Sequence, residues 1–185
     1  MAAQLARGLV TWLNVRLRDR RGVAAVEFAF IVPLLITLYF GVIEVTYAIM
    51  ADGKVTNVTS TVADLVAQTK TVNQAELDDI FKAAAAIMVP FNSTEATIVV
   101  SSVVIDADGN STVGWSAASL GATTPYVDGA PYTLPTGLVV PNTSLIVAEV
   151  QYQYNSFLNY IVTSGISMSD IFYLRPRASA EVQKL

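Results

Sequence analysis

Glu27 and Glu44 are the charged side chains within a long apolar stretch, residues 23–51. An ionised carboxylate inside a bilayer costs a few kcal/mol, so an acidic residue at such a position is a candidate functional group that needs an opposite charge. Glu27 lies five residues after Gly22, and an Arg-Arg pair directly precedes that glycine. A carboxylate at this membrane border is therefore a functional hypothesis whose partner has to be identified.

The amino-acid composition excludes most catalytic mechanisms. The chain has no cysteine and no histidine, which excludes thiol nucleophiles, imidazole bases, disulfides and structural zinc sites of the usual kind. A carboxylate pair or a Ser-Lys dyad would remain, but no spacing suggests either. We therefore expect a protein that is not an enzyme and that holds no cofactor or metal. Asp106 and Asp108 are followed too soon by Gly109 for a calcium loop, which favours a hairpin turn.

Charge is distributed unevenly along the chain. Residues 1–22 carry five arginines and one aspartate, a net of +4, and residues 23–185 carry a net of −8. A basic head before an apolar run predicts a single-pass membrane protein with a cytoplasmic N-terminus. We expect a basic leader at 1–22, a transmembrane helix at 23–51 and an exported domain at 52–185. The acidic remainder argues against a nucleic-acid partner.

The apolar stretch is longer than a signal peptide requires, and no A-x-A cleavage site follows it. Apolar residues continue at helical spacing from Val55 to Val66, which predicts one helix from about residue 23 to 69. Asn73 reads as an N-cap paired with Glu76, which predicts a second helix that ends near Met88.

The rest of the chain predicts a small antiparallel sheet and therefore an α+β domain. The expected segments are strands at 96–105 and 112–116 joined by a turn, a long connection at 117–143, an alternating strand at 145–154, a short apolar, helical segment at 156–166, and an edge strand at 171–182 that is interrupted at Pro176.

The block RRGVAAVEF looks like the junction that a prepilin peptidase cuts in type IV pilins. The longer run RRGVAAVEFAFIVPLLITLYFGVIEVTYA resembles the TadE/TadG-like family of the tight-adherence (Flp) pilus system. The resemblance covers roughly residues 20–65 and includes Glu27-Phe28, Pro33 and Gly41 with Glu44. The segment 173–177 resembles, more weakly, the C-terminal end of the sequences in this family. The short chain without an Asp-x-Ser-x-Ser motif favours a TadE-type minor pseudopilin.

This resemblance implies cleavage between Gly22 and Val23 by a prepilin peptidase on the cytoplasmic side of a bacterial inner membrane. It also implies a pilin-like periplasmic domain, a role in pilus assembly and cell adhesion, and residence in the membrane or in the pilus. The expected partners are the prepilin peptidase, other pseudopilins and the major pilin, the inner-membrane pilus assembly platform and the lipid bilayer.

Three positions on the apolar helix carry separate expectations. Glu27 would pair with the new amine of Val23 during assembly; the alternative is a carboxylate that reaches the interface or is protonated. Pro33 would kink the helix, or be an ordinary proline of a membrane helix. Glu44 would lie at the outer interface. A different reading of the whole chain is an uncleaved bitopic inner-membrane anchor whose periplasmic domain binds a ligand or partner.

Overall fold

The computed structural model describes residues 21–119, 125–156 and 165–185. The described elements are, in chain order, α1 (Arg21–Ala67), β1 (Thr71–Val72), α2 (Gln74–Ile87), β2 (Ala96–Ile105), β3 (Ser111–Ala118), β4 (Thr143–Tyr154), β5 (Ile166–Leu174) and β6 (Gln183–Lys184). The predicted α+β class, with a long apolar helix, a second helix and a small antiparallel sheet, is confirmed. The predicted leader up to residue 20 and most of the predicted segment 156–166 lie outside the described residues.

The chain divides into two compact units after Val45. The first unit contains the N-terminal part of α1, where large apolar side chains are exposed around the whole circumference. They include Val23, Val26, Phe28, Phe30, Ile31, Leu34, Leu35, Ile36, Leu38, Tyr39 and Val42. Among the described residues, α1 is the one helix long and apolar enough to cross a membrane. A helix that is apolar on all sides is consistent with a single-pass membrane protein.

The second unit begins at Thr46, and here α1 acquires a single buried stripe. From Ala51 onward the buried side chains recur at helical spacing: Val55, Val58, Val62 and Val66. Thr59 is also buried, and its hydroxyl donates to the Val55 carbonyl at 2.7 Å, which satisfies the polar group within the helix. The predicted continuation of the helix beyond the membrane segment is confirmed.

The N-terminus of α2 carries the predicted capping box. The Glu76 amide donates to the Asn73 side chain, and the Asn73 amide donates to the Glu76 carboxylate, both at 2.9 Å. Two amides that the helix itself leaves unpaired are thereby satisfied. The helix buries one face, formed by Leu77, Phe81 and Ala84.

The main sheet has the antiparallel order β3-β2-β4-β5. One face packs on α1 and α2. Side chains of β4 that point to this face are Ile146, Ala148, Val150, Tyr152 and Tyr154, as the alternation predicted. Because neighbours directly across an antiparallel ladder share a face, this set lies beside Ile98 and Val100 of β2.

The opposite face of the sheet holds a second, smaller core that the sequence analysis did not predict. Its buried members are Val103, Ile105, Leu134, Leu145 and Val147. The described part of the long connection, residues 125–143, supplies Leu134 together with partly buried Tyr132, Leu138 and Val139. This connection is therefore a packed cover of the sheet as well as a link between strands.

The C-terminal strand was predicted at 171–182, and that range is wrong. β5 spans Ile166–Leu174 and pairs with β4 along its whole length, from Ile166 opposite Tyr154 to Leu174 opposite Ile146. It ends before Pro176, which has no amide to donate to a ladder. The prediction that this strand lies at the sheet edge is confirmed.

After β5 the chain returns to the helices. The Arg177 amide donates to the carbonyl of Ala67, the last residue of α1. β6 then pairs in parallel with β1, and the buried Trp115 indole donates to the Val182 carbonyl at 2.7 Å. The C-terminal segment is thus attached to both the sheet and the helical layer.

Candidate functional site

Gly22 and Val23, the predicted cleavage pair, are both in α-helical conformation at the described beginning of α1. A methyl group added to Gly22 would meet no atom within 4 Å, and Val23 is 56% exposed. Glycine costs about 1 kcal/mol relative to alanine in a helix interior. None of the residues that the structure describes packs around position 22 in a way that compensates for that cost.

Glu27 lies one helical turn beyond Val23. Residues four apart are stacked on one face of an α-helix, separated by about 6 Å along the axis. Glu27 is exposed, and its neighbours Val26 and Phe28 are exposed apolar side chains. The arrangement places a carboxylate on an otherwise apolar surface, close to the backbone position at which cleavage would create an amine.

The predicted kink residue, Pro33, lies inside α1, and the helix continues through it without a break. Proline has no amide, so the Ala29 carbonyl receives no hydrogen bond from residue 33. One turn later, the Thr37 hydroxyl donates to the Pro33 carbonyl at 2.9 Å. This region of the helix therefore has an altered hydrogen-bonding pattern within a continuous helical segment.

Glu44 differs from Glu27 in its surroundings. Its side chain is only 7% exposed, and it has an interaction partner. The two acidic residues of the apolar stretch are seventeen positions apart, equivalent to about 26 Å of helix. Gly22, Val23 and Glu27 therefore form a compact local group, Pro33 follows about two turns later, and Glu44 is not part of that group.

Glu149 of β4 is a half-buried carboxylate whose contacts the sequence did not reveal. It accepts hydrogen bonds from the Tyr132 hydroxyl at 2.8 Å and the Tyr126 hydroxyl at 3.1 Å. The two rings meet edge to face, with centroids 5.3 Å apart. Burial, and then the bond to Glu149, raise the pKa of Tyr132 well above its ordinary value near 10. This cluster fastens the connection to the sheet and contains no activated nucleophile.

The acidic turn between β2 and β3 is the hairpin predicted from its sequence. The Asp106 carboxylate accepts from the Asp108 amide, the Asn110 amide and the Asn110 side chain at 2.8–2.9 Å. The side-chain bond from Asn110 is the main reason that the pKa of Asp106 is lowered from its ordinary value. These donors occupy the carboxylate in the manner of an Asx turn.

The family model described as TadE-like protein matches residues 22–64. No curated protein and no solved structure matches the chain. The match begins at Gly22 and includes Val23, Glu27 and Pro33, so the resemblance predicted over roughly residues 20–65 is confirmed. The match is consistent with a TadE-type protein of the tight-adherence pilus system.

Proposed function

We propose, from this TadE-like segment, that the protein is a minor pilin or pseudopilin that takes part in the assembly of tight-adherence (Flp) pili after a prepilin peptidase has removed residues 1–22. The observation that carries the proposal is the coincidence of two boundaries. The family match begins at Gly22, the same residue at which the basic segment gives way to the exposed apolar helix.

The surroundings of Gly22 support recognition by another protein. Around this residue the described part of the chain leaves open space, so packing against residues 21–119, 125–156 and 165–185 does not account for the glycine. Gly41 has equally open surroundings, but position 22 alone follows a basic pair and precedes a glutamate by five residues. A peptidase that requires a small residue before the scissile bond provides the missing reason for a glycine here.

The proposed location is the bacterial inner membrane, with the +4 head in the cytoplasm and the second unit in the periplasm. The distribution of arginines supports this orientation because cytoplasmic flanks are enriched in basic residues. An alkaline phosphatase fused after residue 70 should be active, and one fused after residue 15 should be inactive. The reverse pattern would contradict the orientation.

The proposed role of Glu27 is electrostatic. Cleavage would leave a cationic α-amino group on Val23, with an ordinary pKa of about 7.7–8.0. At the edge of the hydrocarbon an opposite charge offsets part of the cost of placing either charge there. If the Glu27 carboxylate of an incoming subunit meets the Val23 amine of a neighbour, the pairing sets the axial register between their helices.

Glu27→Gln tests this role because it keeps the side-chain shape and removes the charge. Cleavage should remain, so the mature chain should begin at Val23 by N-terminal sequencing. Surface pili and crosslinks to partner pseudopilins should be reduced. Asp52→Asn is the matched control, since it removes an exposed carboxylate from the same helix beyond the proposed span. Normal piliation of Glu27→Gln would eliminate the electrostatic register.

The same sequencing experiment separates the proposal from its alternative, an uncleaved bitopic anchor with a partner-binding periplasmic domain. The second unit has an extensive core of its own, so it can serve either role. A mature N-terminus at Met1 in cells that contain the peptidase would favour the anchor. A mature N-terminus at Val23 would favour the pseudopilin.

A further inference from the structure

The second unit has an apolar aromatic end at the point where α1 enters it. Tyr47, the second residue of the unit, contacts the Phe91 ring edge to face, with centroids 6.4 Å apart. Phe91 in turn contacts the Tyr154 ring at 6.2 Å. Ile166 lies directly across the ladder from Tyr154, and Val89 precedes Phe91 by two residues. We call these five residues the aromatic end.

Much of the aromatic end is open to its surroundings. Val89 is 64% exposed, Tyr47 is 44% exposed and Ile166 is 38% exposed. Phe91 and Tyr154 are more enclosed and connect these exposed groups to the main core. The exposed apolar side chains therefore belong to α1, to the turn after α2, and to the paired ends of β4 and β5.

Charge is distributed along the sheet in a way that distinguishes its two ends. Most of the aromatic end lies in segments without charged residues. These are the segments between Lys82 and Glu95, between Glu149 and Ser156, and from Gly165 to Ser169. At the other end of β2 lies the hairpin turn with Asp106 and Asp108, whereas Glu95, directly before β2, is the acidic residue of that strand's aromatic end.

The distance between these ends follows from the strand register. Ala96, at the start of β2, pairs with Tyr152 next to the aromatic end, whereas Ile105 pairs with Thr143. Nine residues of strand separate Ala96 from Ile105, equivalent to about 30 Å. An anionic membrane surface repels acidic side chains and accepts an uncharged aromatic surface, so of these two ends the aromatic end has the composition better suited to a membrane contact.

The position of Tyr47 along α1 agrees with that composition. It follows Glu27 by twenty residues, equivalent to about 30 Å of α-helix, which is the thickness of the bilayer hydrocarbon core. If Glu27 lies at the inner boundary of the hydrocarbon, Tyr47 lies at the outer boundary. Tyrosine is enriched at this level because its ring is apolar and its hydroxyl reaches water.

We propose that the aromatic end is a second membrane contact, which rests on the periplasmic leaflet of the inner membrane and inserts Val89 and the Tyr47 ring among the lipid headgroups and upper acyl chains. The inference rests on the proposed membrane span, because the surface is continuous along the chain with the apolar part of α1. The lipid contact would hold the second unit against the membrane before the subunit is assembled.

Single-cysteine labelling of the full chain tests the contact, since the natural chain has no cysteine. Leu35→Cys, Val89→Cys and Val127→Cys are each labelled with an environment-sensitive fluorophore. The labelled proteins are reconstituted at low protein-to-lipid ratio in vesicles of phosphatidylethanolamine and phosphatidylglycerol. Val127 is the matched control because it is also an exposed valine, at 74%, and its carbonyl accepts from Ala130 in a turn that is hydrogen-bonded to Val113 of β3. Quenching is measured with iodide in water and with nitroxides attached to lipid.

The label at position 89 should lose most of its emission with lipid nitroxides and little with iodide, and its emission should shift to the blue. The label at position 127 should show the opposite quenching. If the label at 89 behaves as the one at 127, the contact does not exist. The label at 89 could instead be protected from iodide but not quenched by lipid nitroxides, with a protection that grows with the protein-to-lipid ratio. That result would assign the surface to a second copy of the chain and overturn the proposal. A label at 35 that lipid nitroxides fail to quench would instead refute the span itself.

Discussion

Trp115→Phe should loosen the C-terminal segment, residues 175–185, while leaving the rest of the second unit folded. Trp115 of β3 and Val182 are both buried, and the indole Nε1 donates to the Val182 carbonyl at 2.7 Å. Phenylalanine keeps an aromatic ring against the core and removes the donor. The Val182 carbonyl is then a buried acceptor that lacks its indole donor.

The size of the effect depends on whether the Val182 carbonyl finds another hydrogen-bond donor. A buried acceptor left unpaired costs about 1–3 kcal/mol. The carbonyl escapes this penalty by reaching water, which requires the C-terminal segment to detach from β1 and from the sheet. The free energy of that local opening should therefore fall by about 1–3 kcal/mol, which raises the opening equilibrium by about 5- to 140-fold.

Amide hydrogen exchange on the detergent-solubilised full chain measures the opening residue by residue. The amides of Gln183 and Leu185 donate to Lys70 and Val72 across the β1–β6 pair, so both should exchange faster by the expected factor. The ladder between β2 and β4 provides an internal control, since its amides should be unchanged. Lys184→Ala should leave all of these rates near their original values, because its side chain makes only a long 3.5 Å contact with the Ser116 carbonyl.

Two results would refute this reasoning. Unchanged exchange at the β6 amides in a folded Trp115→Phe protein would mean that the indole bond does not hold the segment. Uniform acceleration across the β2–β4 ladder would mean that the C-terminal segment and the sheet open together, as one cooperative unit.

Two further predictions concern the second unit. Asn73→Ala should lower the free energy of unfolding by about 0.5–2 kcal/mol in denaturant titrations, and Asn73→Asp should change it little, because aspartate still accepts from the Glu76 amide. Tyr132→Phe should reduce the loss of stability at alkaline pH. The pKa of Tyr132 is raised in the folded protein. The stability that its protonated hydroxyl contributes is therefore fully present below pH about 10 and declines as the pH rises above the pKa of the unfolded state. An unchanged free energy of unfolding in Asn73→Ala would contradict the first prediction. If the free energy of unfolding falls equally steeply with pH above 10 in Tyr132→Phe and in the natural protein, the second prediction is contradicted.

The parts of the fold that the sequence predicted are those in which a local pattern is sufficient. The stripe from Val55 to Val66 has helical spacing, and its spacing alone indicates which side is buried. The Asn73 and Glu76 pair lies within four residues, so its geometry depends only on the first turn of α2. The alternation in β4 similarly separated its side chains into the two faces of the sheet, and the structure shows that the face of Ile146 and Tyr152 packs on the helices.

The parts that the sequence did not predict depend on contacts between distant segments. Leu145 and Val147 lie on a face that also carries Gln151 and Gln153, and nothing local indicates that residues 125–143 fold over one half of it. The start of β5 at Ile166 is set by its register with β4. The ion pair between the Arg177 guanidinium and the Asp64 carboxylate, 2.7 Å apart, joins residues more than a hundred positions apart in sequence.

The candidate site was predictable because it is linear. Gly22, Val23 and Glu27 lie within six consecutive residues, so their order in the chain already determines their spacing on a helix. The structure adds that the glycine has open space around it and that the carboxylate is exposed on an apolar surface. Neither property can be read from residue types alone, since both depend on what else the chain packs there.

The extent of the family match argues that this segment has a structural role beyond crossing a membrane. It ends at Asp64, well inside the second unit, and its last part supplies buried core residues. These are Ala51, Val55, Val58, Val62 and Ala63. Another apolar helix in place of residues 23–45 would leave this core complete, and the second unit would still fold. Replacement through residue 64 would remove the buried stripe on which the sheet packs. The TadE-like segment therefore combines the candidate processing site, the apolar helix and one wall of the core in a single element.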